Sequence, residues 1–277
     1  PPASIARCKH RRSLTPIPPA ATGSKATDMA GPMEQFALKV LKPLTVAGFD
    51  ASFTNSSLWM AIAVTAIAIF LFVGTAKPQL VPGRMQAAVE YLYDFVQGML
   101  DENVGPKGRR FTPILFSLFI FVLVCNLLGL IPWVGAFTPT SHIAVTLGLA
   151  MLVFAIVLIV GFASHGLHFF SLFWPKDTFL PLAMFVAAIE FLSFLSRPFT
   201  LAIRLFANMT AGHVLLKVFG TFVVTLGSFG ALPYVFGVLP LAVNVALSAL
   251  EVLIAVVQAY VFALLASIYL NDAINLH

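Results

Sequence analysis

Charged residues are scarce in this chain: only 10% of its 277 residues are Asp, Glu, Lys or Arg, whereas 60% are hydrophobic. A soluble domain carries about 25% charged residues, so the composition excludes an ordinary water-soluble domain and predicts a polytopic membrane protein. Cysteine is also scarce. Cys8 lies in a polar tail and Cys125 in an apolar run, which argues against a structural disulfide. The formal net charge of +5 is concentrated near the amino terminus and in one loop, so it indicates membrane topology rather than nucleic-acid binding.

The amino-terminal residues 1–33 are basic and rich in proline. The apolar segment of a secretory signal does not follow them. We interpret this segment as a basic disordered extension, or as sequence upstream of a misassigned start near Met29 or Met33. Residues 34–277 are predicted to form a single transmembrane domain.

The apolar runs predict an all-α fold with upright spanning helices. Three runs are long enough to cross a bilayer once, at about 58–76, 112–133 and 143–163. A further helix, over about 84–103, has apolar residues on one face and acidic residues on the other. That pattern is typical of an interfacial amphipathic helix or of a helix that binds a partner.

Basic residues predict how these spans are oriented. The loop 77–110 holds five of them, and by the positive-inside rule it faces the cytoplasm or matrix, here called the N side. The loop 134–142, with no Lys or Arg, then faces the opposite P side, as does the amino terminus. The loop 164–177 returns to the N side.

The last third of the chain contains two apolar runs that are too long for upright spans. They cover about 178–218 and 239–270, and as helices they would measure about 60 and 48 Å. Gly220–Pro240, rich in glycine and proline, is the predicted turn between them. Because an upright span needs only about 20 residues, each run is either broken or strongly tilted.

Each long run carries polar residues along one face. At 100° per residue, the first run has a stripe made of Glu190, Arg197, Arg204 and Asn208. On the second run the polar residues recur every seven positions, at Asn244, Glu251 and Gln258, and Asp272 extends the stripe. A charge at the bilayer centre costs roughly 2.5–3.5 kcal/mol on insertion scales, so such residues persist only beside partners or water. The two stripes are therefore predicted to line a common path.

His213 lies on roughly the opposite side of the first run from Arg204. A buried carboxylate needs a donor, so Glu251 on the second run is its predicted partner. A His–Glu pair exchanges protons near neutral pH, which is suited to a proton relay.

Other interpretations of these residues stay open at this point. Arg197 would serve equally well as a structural partner that neutralises Glu190, and Arg204 as a snorkelling arginine. Asn126 and Ser193 are of the kind that membrane helices use for packing. His165 and His168 have a spacing that a metal or haem site would use, but further ligands at fixed spacing are missing from the sequence.

The segment RPFTLAIRLFANMTAGH, from Arg197 to His213, resembles the signature of subunit a of F-type ATP synthase. Residues 126–132, NLLGLIP, resemble that family's second-span motif, and Glu251 and Gln258 stand where the family has polar residues in its last helix. Some bacterial members carry Glu at the position of His213 and His at that of Glu251, an exchange that supports a direct pair. The arrangement here is that of alphaproteobacterial and mitochondrial members, and the resemblance covers roughly 34–277.

This resemblance implies a carboxy-terminal hairpin of two long, strongly tilted helices against a rotating ring of c subunits. It implies two offset half-channels. Protons would enter from the P side past Asn126, His142, His213, Glu251 and Gln258, neutralise a carboxylate on a c subunit, and leave to the N side past Glu190 and Ser193. Arg204 would separate the half-channels, and Asn208 would orient Arg204 or the approaching carboxylate.

The resemblance also implies a non-catalytic subunit without a cofactor, which binds neither nucleic acid nor nucleotide directly. Its expected partners are the c-subunit ring, b-type peripheral stalk subunits and membrane lipid. The expected location is the bacterial inner membrane or, alternatively, the mitochondrial inner membrane. The rival prediction is a secondary transporter or ion channel with an intramembrane Arg/Glu/His relay, which would be expected to show inverted repeats.

Overall fold

The computed structural model describes residues 40–42, 45–46, 49–50, 53–131, 138–166, 169, 179–228 and 231–275. The extension predicted over 1–33 lies outside these residues. The described part contains α1 (Asn55–Thr75), α2 (Arg84–Asn103), α3 (Thr112–Gly129), α4 (Ile143–His165), α5 (Leu180–Ser228) and α6 (Ala231–Ile274). Short 3₁₀ helices at Pro106–Phe111 and Pro139–Ser141 lead into α3 and α4.

Two small antiparallel ladders precede α1, and the sequence patterns did not predict them. They pair β1 (Val40–Lys42) with β4 (Phe53–Thr54), and β2 (Thr45–Val46) with β3 (Phe49–Asp50). Along the chain, β2 and β3 therefore lie between β1 and β4. The Thr54 hydroxyl accepts a hydrogen bond from the Ser57 amide, so the last strand residue also caps α1.

Five helical segments of the described residues are long and apolar enough to cross a membrane. They are Asn55–Thr75, Pro106–Gly129, Ile143–His165, Pro181–Leu226 and Val238–Ile274. Large apolar side chains such as Phe72, Ile159 and Leu192 are exposed on their outer faces, as expected of helices that lipid covers. These helices confirm the predicted all-α polytopic fold.

The amphipathic helix α2 turns its apolar face inward. Val89, Val96, Met99 and Leu100 are buried, and the helix packs against α1, α3 and α6. Gly74 of α1 makes this approach close, because a Cβ there would lie 2.6 Å from a methyl group of Val89. The helix is thus part of the bundle, and acidic side chains on its other face, such as Glu90 and Asp94, are exposed.

The bounds predicted for the turn at Gly220–Pro240 are too wide, although one helix gives way to the next within this range. α5 continues through Gly220 to Ser228, and α6 begins at Ala231 with Pro240 inside it. At 49 and 44 residues these helices are about 73 and 66 Å long. Breaker rules taken from soluble proteins fail here because unpaired backbone groups are costly in lipid, and membrane helices tolerate glycine and proline more readily.

α6 lies at the centre of the bundle, in contact with α2, α3, α4 and α5. Its buried face carries small side chains at helical spacing, since Ala255, Ala259 and Ala263 are all 0% exposed. Small residues let neighbouring helix backbones approach closely. Phe262, also fully buried, fills the space beside them.

Candidate functional site

Among the residues that the structure describes, polar side chains join α5 to α6 at three places. His213 lies beside Glu251, Asn208 bonds Gln258, and Arg197 bonds Asp272. The residue numbers fall on one helix as they rise on the other, as an antiparallel hairpin requires. Members of both polar stripes predicted from the sequence, together with His213, therefore meet along the α5–α6 contact, which we call the seam.

The His213–Glu251 contact is the most buried of the three. Nδ1 of His213 lies 3.2 Å from Oε1 of Glu251, whose residue surface is 2% exposed. Neither carboxylate oxygen makes a hydrogen bond of good geometry within the described residues, so the 3.2 Å contact with His213 is its principal polar contact there. A cavity of about 210 Å³ adjoins this carboxylate and reaches Asn208 and Gly212. The rest of its lining is mostly apolar, with Leu215, Leu247 and Ile254.

Gly212 makes room for the carboxylate. A Cβ at this position would lie 2.8 Å from Oε1 of Glu251, which is closer than ordinary packing permits. The glycine therefore matters for its lack of a side chain, and the helix remains regular α-helix through it.

A buried turn before α4 reaches the same pair from the other side. Oγ1 of Thr138 lies 2.7 Å from Nε2 of His213. The Thr140 hydroxyl donates to the side-chain oxygen of Asn126 at 2.8 Å, and the Asn126 amide donates to the Ala255 carbonyl of α6 at 3.4 Å. Asn126, which is 0% exposed, thus links α3, the turn and α6.

His142 follows this turn directly and precedes α4. Its side chain is half-buried, and burial lowers the pKa of the imidazole from its ordinary value. The amino-terminal end of α4 also disfavours a positive charge there. His142 is therefore expected to be neutral at neutral pH.

The other end of the seam is built around Arg197. Its guanidinium donates to Oδ2 of Asp272 at 2.6 Å and lies 3.9 Å from Oε1 of Glu190. It also lies over the rings of Tyr269 and Phe194, at 4.9 and 5.4 Å from their centres. The pairing of Arg197 with Glu190 considered from the sequence is therefore the longer of two contacts, and Asp272 is the close partner.

Arg204 lies between these two groups of residues along α5. It is seven residues from Arg197 and nine from His213, about 10 and 13 Å along the helix axis. Its residue surface is exposed, and it makes no hydrogen bond or ion pair with any part of the chain that the structure describes. Asn208, one turn on, donates to Gln258 at 2.8 Å, so its amide is directed to α6 rather than to Arg204. Ser193, on the side of Glu190, is exposed.

The two ends of the bundle are distinct. The turn at 138–141 contacts the His213 end of the seam, whereas His165, at the end of α4, lies 3.0 Å from the Ile274 carbonyl at the end of α6. The turn and the carboxy-terminal end of α4 therefore lie at opposite ends of the bundle, and which side of a membrane each one faces stays a prediction. Over residues 53–131, 138–166, 179–228 and 231–275, three His, Cys, Asp or Glu side chains do not come together in a form that would hold a metal ion; His168 lies outside the described residues.

Sequence reasoning missed the threonines of the turn. Thr138 and Thr140 flank Pro139 in a short run of hydroxyl residues between two spans, and that run was a usable signal, because membrane proteins satisfy buried polar groups across helices with such side chains. Tyr269 was missed as well, since a lone aromatic residue in an apolar helix carries no distinguishing pattern.

Together these features define a class: a multi-pass membrane protein that gathers its ionisable side chains between two over-long helices, as proteins with ion paths do. The family model described as ATP synthase A chain matches residues 57–271. Proteins named ATP synthase subunit a are similar to this chain. That of Paramagnetospirillum magneticum is 49% identical over 90% of this chain and 100% of its own length, and that of Mesorhizobium japonicum is 52% identical over 90% and 98%. That of Rhodospirillum rubrum is 50% identical over 90% and 100%. The chain belongs to the ATP synthase A chain family.

Proposed function

We propose that this chain is the proton-translocating stator subunit of the Fo sector of ATP synthase. It supplies two offset half-channels that load and unload a carboxylate on the c-subunit ring. Family membership and the names of its relatives support this assignment. The subunit is non-catalytic: it moves protons and forms no covalent intermediate.

The observation that carries the proposal is the position of Arg204. Along α5 it separates the His213–Glu251 group from the Arg197–Asp272–Glu190 group, and its own guanidinium is exposed on the helix surface. An arginine at lipid depth needs a partner or water. A carboxylate presented by a neighbouring c subunit would meet that need.

The entry half-channel begins at the P side. Protons pass the turn with Asn126 and His142 and reach the buried His213–Glu251 pair, with Gln258 and Asn208 next along the seam. The pair accepts a proton from the P side and passes one to the ionised c-ring carboxylate. The neutral carboxyl group then tolerates lipid, because desolvation penalises only its charged form.

The exit half-channel lies at the other end of α5. A carboxyl group that has completed its circuit releases its proton past Glu190 and Ser193 toward the N side. The fixed charge of Arg204 favours the ionised carboxylate and repels a proton that would otherwise cross directly. Each charge that falls through 100 mV releases about 2.3 kcal/mol, and rotation of the ring is the work it drives.

The same proposal defines partners and location. The c-ring contacts the exposed apolar face of α5, b-type subunits of the peripheral stalk contact the remainder of the stator, and lipid covers the other outer faces. The membrane is the bacterial inner membrane, in keeping with the bacterial sources of the relatives.

Replacing Arg204 by Ala tests the proposal. In inverted membrane vesicles that carry the assembled complex, we expect ATP hydrolysis to persist while ATP-driven proton pumping falls to background. The control is Gly220→Ala in the same helix, where an added Cβ meets no atom within 4 Å. Normal pumping by Arg204→Ala would overturn the mechanism.

A further inference from the structure

We infer that Thr138 is a positioning residue for the proton relay. Its hydroxyl holds the His213 ring toward Glu251 in every protonation state, and Gly129, which has no side chain, leaves the space that Thr138 occupies. The inference rests on the proposed function, because it assigns a partner to the His213–Glu251 pair. It concerns a residue on a turn, 75 positions before the histidine in the chain.

The two ring nitrogens of His213 have different partners. Nδ1 lies 3.2 Å from Glu251 and Nε2 lies 2.7 Å from Oγ1 of Thr138. A contact at only one nitrogen would let the ring rotate about its bond to the backbone. With both nitrogens engaged, the ring plane is fixed between α6 and the turn.

A hydroxyl is suited to this place because it both donates and accepts. When His213 is neutral with its proton on Nδ1, Thr138 donates to Nε2. When the ring is doubly protonated, Nε2–H donates to Thr138 instead. The hydrogen bond therefore persists whether His213 is neutral or doubly protonated, which a group that can only donate or only accept would not allow.

The turn is fixed well enough for Thr138 to act as a support. Thr138 is 4% exposed, and its carbonyl accepts hydrogen bonds from the Ser141 hydroxyl at 2.6 Å and the Ser141 amide at 3.0 Å. Thr140 is bonded to Asn126 of α3. Two residues of one turn are thus attached to two different helices.

Gly129 completes the support. A Cβ at this position would overlap Thr138, with its hydroxyl oxygen, Cβ and methyl group as the nearest atoms. Gly129 follows Asn126 by three residues, so both lie on the face of α3 that meets the turn. A side chain here would push Thr138 away from His213.

The test uses three variants of the full assembled complex in proteoliposomes. Thr138→Val keeps the shape of the side chain and removes the hydroxyl, Thr138→Ser keeps the hydroxyl, and Gly129→Ala displaces the threonine. Thr146→Val is the matched control, because Thr146 is also buried but its hydroxyl bonds the backbone carbonyls of His142 and Ile143.

We expect Thr138→Val to slow ATP-driven proton pumping about tenfold, the change that loss of one hydrogen bond to a charged group produces. Thr138→Ser should stay within about twofold of the unmodified chain, since the hydrogen bond is kept. Gly129→Ala should resemble Thr138→Val. Should Thr138→Val fail to assemble, the smaller Thr138→Ala is judged by the same criterion.

The pH dependence distinguishes positioning from a structural role. Glu251 on α6 and Lys217 on α5 are the charged groups that act on His213. Because the doubly protonated ring loses more than the neutral ring when the hydroxyl is removed, the P-side pH dependence of ATP synthesis should move to lower pH by about half a unit to one unit. Thr146→Val should leave it unchanged.

Glu251→Gln separates this inference from the proposed function. If Glu251→Gln abolishes pumping while Thr138→Val leaves both rate and pH dependence unchanged, the inference about Thr138 is overturned and the relay stands. If Glu251→Gln itself pumps normally, the relay is wrong and the inference falls with it. A slowed Thr138→Val with an unshifted pH dependence would also count against positioning.

Discussion

Arg197 and Arg204 stand seven residues apart on one helix, and their surroundings differ completely. Arg197 is bonded to Asp272, lies near Glu190 and is covered by two aromatic rings. Arg204 is exposed and has no charged partner within the described residues. The first charge is neutralised inside the subunit, whereas the second is presented outward. The same side chain at nearly the same angle on a helix is thus bonded to the subunit's own residues in one place and exposed in the other; under the proposed function, the exposed one is Arg204, which would face the c-subunit carboxylate.

The largest expected contrast comes from exchanging each arginine for glutamine. Arg204→Gln should abolish proton pumping while leaving the stability of the complex unchanged, because it breaks no hydrogen bond or ion pair with the residues that the structure describes. Arg197→Gln should retain pumping but destabilise the complex, since it leaves Asp272 without its partner. The loss should fall between the ~1 kcal/mol of an exposed pair and the ~3–5 kcal/mol lost when one partner of a buried pair is removed. Heat-induced dissociation of the purified complex, measured beside pumping, checks both halves.

The double change Arg197→Gln with Asp272→Asn sharpens this contrast. Its stability should be higher than that of Arg197→Gln alone, because the close partner Asp272 no longer carries an unpaired charge and Glu190, which then lacks a partner, is the more exposed carboxylate. If Arg197→Gln instead abolished pumping in a fully stable complex, the distinction between the two arginines would collapse, and Arg197 would belong to the proton path.

A smaller effect is expected from Gly212→Ala. The added Cβ would lie 2.8 Å from the Glu251 carboxylate and displace it from His213. Because a small misplacement of a reacting group is enough to slow transfer, pumping should fall about two- to tenfold. Gly220→Ala in the same helix, which meets no neighbouring atom, should pump normally. Equal pumping rates for the two alanine variants would show that the α5–α6 contact adjusts to the extra methyl group without moving Glu251 away from His213.

The smallest effect should come from the Asn208–Gln258 hydrogen bond. Asn208→Leu and Gln258→Leu should each slow pumping about two- to fivefold, the effect of one ordinary hydrogen bond. The double variant should be no slower than the slower single one, because both remove the same interaction. Strictly multiplicative rates in this double-mutant cycle would mean that the contact is not used during transport.

Much of this arrangement follows from helical spacing alone. The bounds of α2 and the meeting of the two stripes could be predicted, since a seven-residue repeat keeps side chains on one face of a helix. His213 and Glu251 could be paired because a buried carboxylate requires a donor. The choice of Asp272 over Glu190 as the closer partner of Arg197 could not be made, because it depends on the register between two helices, which neither sequence stripe fixes.

Other features were out of reach for a different reason. Thr138 contacts His213 only because α3, the turn and α5 converge, and a local pattern does not encode that convergence. The extent of α5 and α6 was underestimated, since the strength of glycine and proline as breakers depends on the solvent around the helix. Sequence reasoning was thus reliable within a helix and weak where a contact depends on how separate helices are placed.

The alanine face of α6 has a mechanical consequence. Alanine has no side-chain rotamers to lose or to exchange, so Ala255, Ala259 and Ala263, each fully buried, hold the neighbouring backbones at distances that do not fluctuate through rotamer changes. Glu251 and Gln258 project from this same stiff helix. Under the proposed function, such a helix would keep the proton-carrying groups at a constant spacing while the c-ring rotates against it.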